Sequence, residues 1–224
     1  MFDRIAGPYD RMNRAMTAGL DQRWRALAAA ETGVGRGAVA LDACCGTGDL
    51  TLALAGLVGA NGAVTGLDIS EGMLARARAK ETGVDAARID WVRGDAMAMP
   101  FPDASFAAAT VGFGVRNLPD VRAGLIELRR VVRPGGRVVC LEITQPMSQP
   151  LRGFYSLWFN RGVPALGRLF DGGGAYAYLP ASVRRFPPAD ELGTLFWEAG
   201  FEGVRYRLLA GGIVALHVGE VPRT

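Results

Sequence analysis

The segment Val39-Ala40-Leu41-Asp42-Ala43-Cys44-Cys45-Gly46-Thr47-Gly48-Asp49-Leu50-Thr51 constrains this chain more than any other. An apolar run ends in an acid, two glycines frame a turn, and Leu50-Thr51-Leu52-Ala53-Leu54-Ala55 continues as a buried helix. Strand, glycine loop and helix open a nucleotide-binding α/β unit. Gly46 and Gly48 accept positive φ and let a ligand lie against the backbone. The helix that follows aims its first N–H groups at that ligand. The bland alternative is a strand-to-helix turn that binds nothing. A dinucleotide loop is disfavoured, because the third glycine of G-x-G-x-x-G is Thr51 here. Asp42 and Asp49 on either side of the loop would repel a pyrophosphate and suit a cationic ligand.

The chain has 224 residues, enough for one domain over 1–224 with a substantial core. Half of them are hydrophobic and 21% are charged, which is globular composition. The net charge is +3, and Lys80 is the only lysine. No basic stripe interleaved with aromatics runs through the sequence, so a nucleic-acid partner is not expected. Cys44, Cys45 and Cys140 make an odd set with two neighbours, which argues against a disulfide framework and for a reducing, cytoplasmic setting. His217 is the one histidine and no C-x-x-C occurs, so no metal site is expected. The first 25 residues are charged and lack the apolar core of a secretory signal. No apolar stretch is long enough to span a bilayer.

Before the glycine loop, Phe2, Ile5, Met12, Met16, Leu20, Trp24 and Leu27 recur at helical steps. Residues 1–30 are therefore expected to form a helical lid, or else a helix packed on the sheet edge. After the loop, strands are expected at 64–68, 89–94, 106–112, 137–143, 204–209 and 213–218, with helices between them. Asp68 ends the second strand 20 residues after Gly48, where one carboxylate can accept from both hydroxyls of a ribose. Asp95 and the Ala96 N–H follow the third strand, at the level of a purine base. Phe113-Gly114-Val115-Arg116-Asn117 follows the fourth, at the carboxyl edge where open α/β sheets bind ligands. Arg116 and Asn117 are the polar pair expected to meet a substrate, although an arginine paired with a nearby acid is the plainer reading. Residues 144–187 break the rhythm with Phe154-Tyr155-Ser156-Leu157-Trp158-Phe159 and further aromatics. They are read as a substrate cover, a membrane-facing surface or extra core. The last two strands meet at Gly211-Gly212, so they form an antiparallel hairpin.

S-adenosylmethionine carries a sulfonium and an ammonium and no phosphate, and it matches the acid-flanked loop. The D-x-x-x-G-x-G form and the seven-stranded, mostly parallel sheet with its terminal antiparallel hairpin resemble the class I, Rossmann-like methyltransferases. More narrowly, the chain resembles the C-methyltransferases of menaquinone and ubiquinone biosynthesis. The motifs that carry this are Phe2-Asp3-x-x-Ala6-x-x-Tyr9-Asp10-x-Met12-Asn13, Leu41-Asp42-x-Cys44-Cys45-Gly46-Thr47-Gly48-Asp49, Phe113 to Asn117, Arg130-Val131-x-Arg133-Pro134-Gly135-Gly136 and Gly212-x-Val214-Ala215-x-His217. Cys44-Cys45 is more like the menaquinone-type members. Some members have Ser at the position of Gly112.

The resemblance implies methylation of demethylmenaquinol at a ring carbon by S-adenosylmethionine, with a prenylated quinol as acceptor and transient contact at the inner face of the cell membrane. Asp42, Gly46, Thr47, Gly48, Asp68, Asp95 and Ala96 are the expected donor-binding residues. Arg116, Asn117 and Tyr9 are the expected catalytic ones. Arg116 would stabilise a phenolate or hold a water, since a guanidinium stays protonated. His217, on an apolar strand, is read as structural. Three rivals stand beside this reading: methylation of a ubiquinone precursor or another apolar small molecule, a nicotinamide-dependent oxidoreductase, and a prenyl-lipid carrier without catalysis.

Overall fold

The computed structural model describes residues 9–80, 87–145, 153, 161–162 and 179–223. Two helices come first, α1 (Tyr9–Thr17) and α2 (Leu20–Glu31). The second ends one residue past the expected lid boundary. Then follow β1 (Val39–Ala43), α3 (Asp49–Val58), β2 (Ala63–Asp68), α4 (Glu71–Lys80), β3 (Arg88–Arg93), β4 (Phe106–Gly112) and a 3-10 turn over Val115–Asn117. The chain continues through α5 (Val121–Val131), β5 (Val132–Ile143), α6 (Leu179–Arg185), α7 (Ala189–Glu198), β6 (Glu202–Leu209) and β7 (Val214–Glu220).

The strands form one sheet in the order β3-β2-β1-β4-β5-β7-β6. The first five run parallel, and β7 is antiparallel to both β5 and β6. The hairpin is therefore antiparallel as expected, but it reverses only β7; β6 runs with the first five. The β5 strand starts earlier than expected, straight out of α5. Its register against β4 jumps from Phe106↔Val132 to Ala108↔Arg137, so Pro134-Gly135-Gly136 bulges out within the strand.

Alternation along the strands supplies two apolar faces. Leu41, Ala43, Ala109, Val111 and Val138 pack with Leu125 and Leu128 of α5 and Leu192 and Phe196 of α7. Ala40, Val64, Val139 and Leu141 pack with Ala28 and Ala29 of α2 and Leu50 and Leu54 of α3. The sheet is thus covered on both sides, as parallel strands require. Its carboxyl edge stays open between β1 and β4, where the chain leaves in opposite directions. Helix ends are capped by local chemistry. Ser70 Oγ accepts from the Met73 N–H at 3.2 Å, and the Asp120 carboxylate accepts from the Ala123 N–H at 3.0 Å. The aromatic stretch expected to cover the substrate, residues 154–159 and 168–178, lies outside the described residues.

Candidate active site

A cleft of about 820 Å³, mouth included, opens at the carboxyl ends of β1, β2 and β4. Its floor is the glycine loop. Gly46 has φ +55° and open space where a Cβ would stand, whereas a Cβ on Gly48, at φ +84°, would lie 2.6 Å from the Trp91 ring. One glycine leaves room for a ligand, and the other lets helix and sheet approach closely. Cys44 and Phe113 follow β1 and β4, line the cleft, and hold φ of +52° and +59°. Two non-glycine residues in left-handed backbone on one cleft edge mark a site whose shape is imposed on the chain.

Asp68 is 9% exposed on the cleft wall. One carboxylate oxygen accepts from the Gly46 N–H at 2.8 Å and the other from the Ser70 N–H at 2.9 Å. It fixes the loop while standing on the cleft wall. Asp95 is exposed and accepts from the Met97 N–H at 2.8 Å, turning the chain so that Ala96 and Met97 face the cleft. The apolar lining was not foreseen. Ile69, 61% exposed, together with Met73, Met97 and Leu118, gives the cleft an apolar lining beside Asp68. An isoleucine between Asp68 and Ser70 was the signal for it.

The structure redistributes the charges expected at the loop. Asp42 does not line the cleft. It sits beneath the loop, 1% exposed, with one oxygen accepting from Thr51 Oγ1 at 2.7 Å and the other from Thr110 Oγ1 at 2.8 Å. Burial lifts its pKa from 3.8 to about 6, against the opposing pull of both hydroxyls and of the nearby Arg25 guanidinium. Asp49 is committed as well. Its oxygens accept from Lys80 Nζ at 2.7 Å and from Gln22 Nε2 at 3.2 Å. Burial opposes its charge, yet Lys80 and Gln22 hold its pKa below the ordinary value. Lys80 also meets Asp10 of α1 at 2.6 Å, and Asp10 accepts from Thr47 Oγ1 at 2.6 Å. Thr47 is therefore tied to the lid, and the single lysine locks α1, α3 and α4 together.

Arg116 and Asn117 separate. Asn117 lines the cleft. The Arg116 guanidinium turns away, 5% exposed, and donates to Glu142 at 2.7 Å and to the Phe113 carbonyl. Glu142, 1% exposed, also accepts from the backbone N–H groups of Arg116, at 3.2 Å, and Ile143, at 2.8 Å. The plainer reading of Arg116 is the one its geometry matches. A lone acid in the apolar strand Val138–Ile143 was the signal for its partner. Tyr9 begins α1, and its side chain lies outside what the structure describes. His217 is fully buried between Phe196 and Tyr206, with Nε2 donating to the Ala189 carbonyl at 2.7 Å. Burial lowers its pKa. Among the described residues no acidic, cysteine or histidine cluster could hold a metal, and no helix is long and apolar enough to cross a membrane.

This strand order, with a glycine loop after β1 and a cleft at the β1–β4 divergence, is the class I methyltransferase form of the Rossmann-like fold. Solved structures agree on the fold. A chain of the complex between the Haloferax volcanii methyltransferase activator Trm112 and a methyltransferase matches with a TM-score of 0.69 at 19% identity, over 99% of this chain and 98% of that one. The [4+2]-cyclase SpnF matches with a TM-score of 0.67 at 20% identity, over 91% and 81%. The same scaffold thus carries more than one chemistry. At the level of sequence, the chain belongs to the ubiE/COQ5 methyltransferase family, whose model matches residues 1–221. It is 43% identical to the demethylmenaquinone methyltransferase of Staphylococcus aureus, over 98% of this chain and 90% of that one.

Proposed function

We propose that this chain methylates a ring carbon of reduced demethylmenaquinone, using S-adenosylmethionine. The observation that carries the reading is the near full-length 43% identity to a demethylmenaquinone methyltransferase. In the reaction the carbon–sulfur bond to the methyl breaks, a carbon–carbon bond forms, and the ring proton leaves to water, giving menaquinol and S-adenosylhomocysteine.

The cleft suits the donor. The lining of Ile69, Met73 and Met97 has the apolar character an adenine needs, with Asp95 and Ala96 beside it. Asp68 would accept from the ribose hydroxyls while holding the loop. Gly46 and Gly48 leave the backbone open to the donor's tail, and Asp42 contributes negative charge from below. Asn117 is the cleft-lining polar group that would orient the quinol hydroxyl next to the reacting carbon. Holding that carbon about 3 Å from the methyl supplies much of the rate. Arg116, clamped to Glu142, would position Phe113 and Asn117 rather than itself stabilise a phenolate or hold a water. Tyr9 is retained as the lid residue that closes over the acceptor, and Thr47 as a donor contact released from Asp10 when the donor enters.

A prenylated acceptor resides in a bilayer, so the reaction belongs at a membrane surface, with the chain on the cytoplasmic side. Exposed Arg185 at the end of α6 suits anionic headgroups. The test is incubation with S-adenosylmethionine and reduced demethylmenaquinone beside reduced ubiquinone precursors, read by mass spectrometry. A methyl gained by the naphthoquinol supports the reading. A methyl gained only by the benzoquinol precursors shifts the substrate, and no methylation of either refutes it.

A further inference from the structure

We infer that Arg25 receives the α-carboxylate of the methyl donor, an inference that rests on the donor being S-adenosylmethionine. Negative charge from Asp42, buried beneath the glycine loop, faces the donor's cationic groups from below. Its amino-acid tail also carries a carboxylate, and a carboxylate entering a half-buried cleft needs a cationic or N–H partner of its own.

Among the described residues, Lys80, Arg116 and Arg25 bring side-chain cations near the loop and the β4 edge, and the first two are spoken for. Lys80 is held by Asp10 at 2.6 Å and Asp49 at 2.7 Å. Arg116 is held by Glu142 at 2.7 Å. Arg25, on α2, is 7% exposed, and the acid one turn before it, Asp21, is 2% exposed. Their approach, Nε to Oδ2, is 3.8 Å, too long for a hydrogen bond. Both of those atoms are shielded from solvent and have no hydrogen-bond partner among the described residues. The other Asp21 oxygen accepts from Thr17 Oγ1 at 3.0 Å. A buried guanidinium with an unmade bond is costly, and its persistence calls for a reason.

Its position supplies one. The guanidinium carbon lies 5.2 Å from the centroid of the Phe113 ring. Its Nη1 lies 3.6 Å from where a Cβ would stand on Gly112. Gly112 and Phe113 form the cleft wall between the end of β4 and Asn117. Residue 112 has no side chain, and the atoms nearest to where its Cβ would stand are Leu50 Cδ2, at 3.0 Å, and Arg25 Nη1, so the guanidinium backs onto the cleft wall beside Leu50. The same α2 face packs on α3, which the glycine loop leads into through its N-cap, Gly48. A planar fork at that point meets a carboxylate bidentately, with the Phe113 ring beside it as a cation–π partner. The tail is then read by both signs at once, acid for the ammonium and Arg25 for the carboxylate.

The experiment is calorimetric binding of S-adenosylmethionine and of decarboxylated S-adenosylmethionine, which keeps the sulfonium and the amine. Proteins compared are wild type, Arg25→Gln, Arg25→Lys and Asp21→Asn, each checked for folding by circular dichroism. Arg25→Gln should weaken the intact donor roughly 10- to 100-fold, the value of a charge-assisted hydrogen bond, and the decarboxylated one less than about threefold. Arg25→Lys retains the charge that Asp21 faces and is the variant safe for folding. It should show the same preference with a smaller loss. Asp21→Asn should leave the intact donor bound at least as tightly as wild type. Equal losses for the two ligands, or none, overturn the inference. So does a loss in Asp21→Asn matching that in Arg25→Gln, because Arg25 would then only hold the helix. If both ligands bind every variant as they bind wild type while turnover falls, Arg25 serves the acceptor and the inference fails. Absence of donor binding to wild type overturns the donor reading itself, and this inference with it.

Discussion

The Arg116–Glu142 pair makes the sharpest demand on the structure, because it separates a catalytic arginine from a clamp. Glu142 accepts three hydrogen bonds, from the Arg116 guanidinium at 2.7 Å, the Arg116 N–H at 3.2 Å and the Ile143 N–H at 2.8 Å. The two side chains are 5% and 1% exposed, so water cannot replace either partner. Glu142→Ala leaves a buried guanidinium without its counter-charge, at a cost of about 3–5 kcal/mol. In a chain of this length that lowers Tm by about 6–20 °C. Arg116→Met should cost a similar amount, by leaving the carboxylate alone. Removing both charges, in Arg116→Met with Glu142→Leu, removes the uncompensated charge, so the double variant should lose less than the two singles together by at least about 2 kcal/mol. Urea unfolding followed by tryptophan fluorescence gives the three free energies. If the single losses add to within about 0.5 kcal/mol, the two groups do not interact and the clamp is refuted. A second readout addresses function. In Glu142→Gln, which keeps the shape, turnover should fall more than donor affinity, because Asn117 and Phe113 are mispositioned while the lining beside Asp68 stays whole.

Three further outcomes follow from the ionisable groups Asp42, Lys80 and His217. Asp42 is held ionised at a cost, since a pKa moved from 3.8 to about 6 corresponds to about 3 kcal/mol. Between these two values the folded chain binds more protons than the unfolded one, so this group's share of stability falls as pH rises through that window and is fully lost above it. Asp42→Asn should therefore flatten stability between pH 4 and 6 in thermal melts and raise Tm at neutral pH, while weakening donor binding; a lowered neutral-pH Tm would contradict the buried charge. Lys80 is the only lysine, so an amine reagent reports its latch directly. Asp10→Asn should speed its modification severalfold, as followed by peptide mass spectrometry, and an unchanged rate would mean that Asp10 does not hold it. His217 must stay neutral where it lies, so its share of stability is present above the unfolded pKa of about 6.5 and is lost as pH falls through it. His217→Phe should abolish that pH dependence and keep methyl transfer, whereas loss of transfer in a folded variant would make it a base after all.

Backbone architecture was legible because it depends on periodicity and punctuation that a short window contains. The apolar runs at 38–43, 64–68 and 106–112, and the glycine pairs between elements, specify parallel strands and crossovers wherever the chain lies. The seven strands and the closing antiparallel hairpin followed from those signals, whereas the reversal of β7 alone did not. The early start of β5 did not, because Pro134-Gly135-Gly136 reads locally as a turn. Only the neighbouring strand, which pairs on both sides of the bulge, makes it part of the ladder.

Side-chain partners obeyed a different logic. Asp42 and Asp49 both flank the glycine loop, yet one is buried under hydroxyls from α3 and β4 and the other is neutralised by a lysine 31 residues away. Arg116 and Asn117 are adjacent, yet one faces an acid on β5 and the other the cleft. A window cannot show these pairings, because each is decided by an element that arrives from elsewhere in the chain. What such a window can show is an oddity of type: an isoleucine set between Asp68 and Ser70, an acid inside an apolar strand, one lysine among many arginines. Each of these marked a real feature, the apolar lining, the clamp and the latch. Together they describe a site in which most charges are satisfied internally before any ligand arrives. Binding selectivity then rests on the few polar groups the fold leaves facing the cleft, Asp68 and Asn117 on its walls and Arg25 behind one of them.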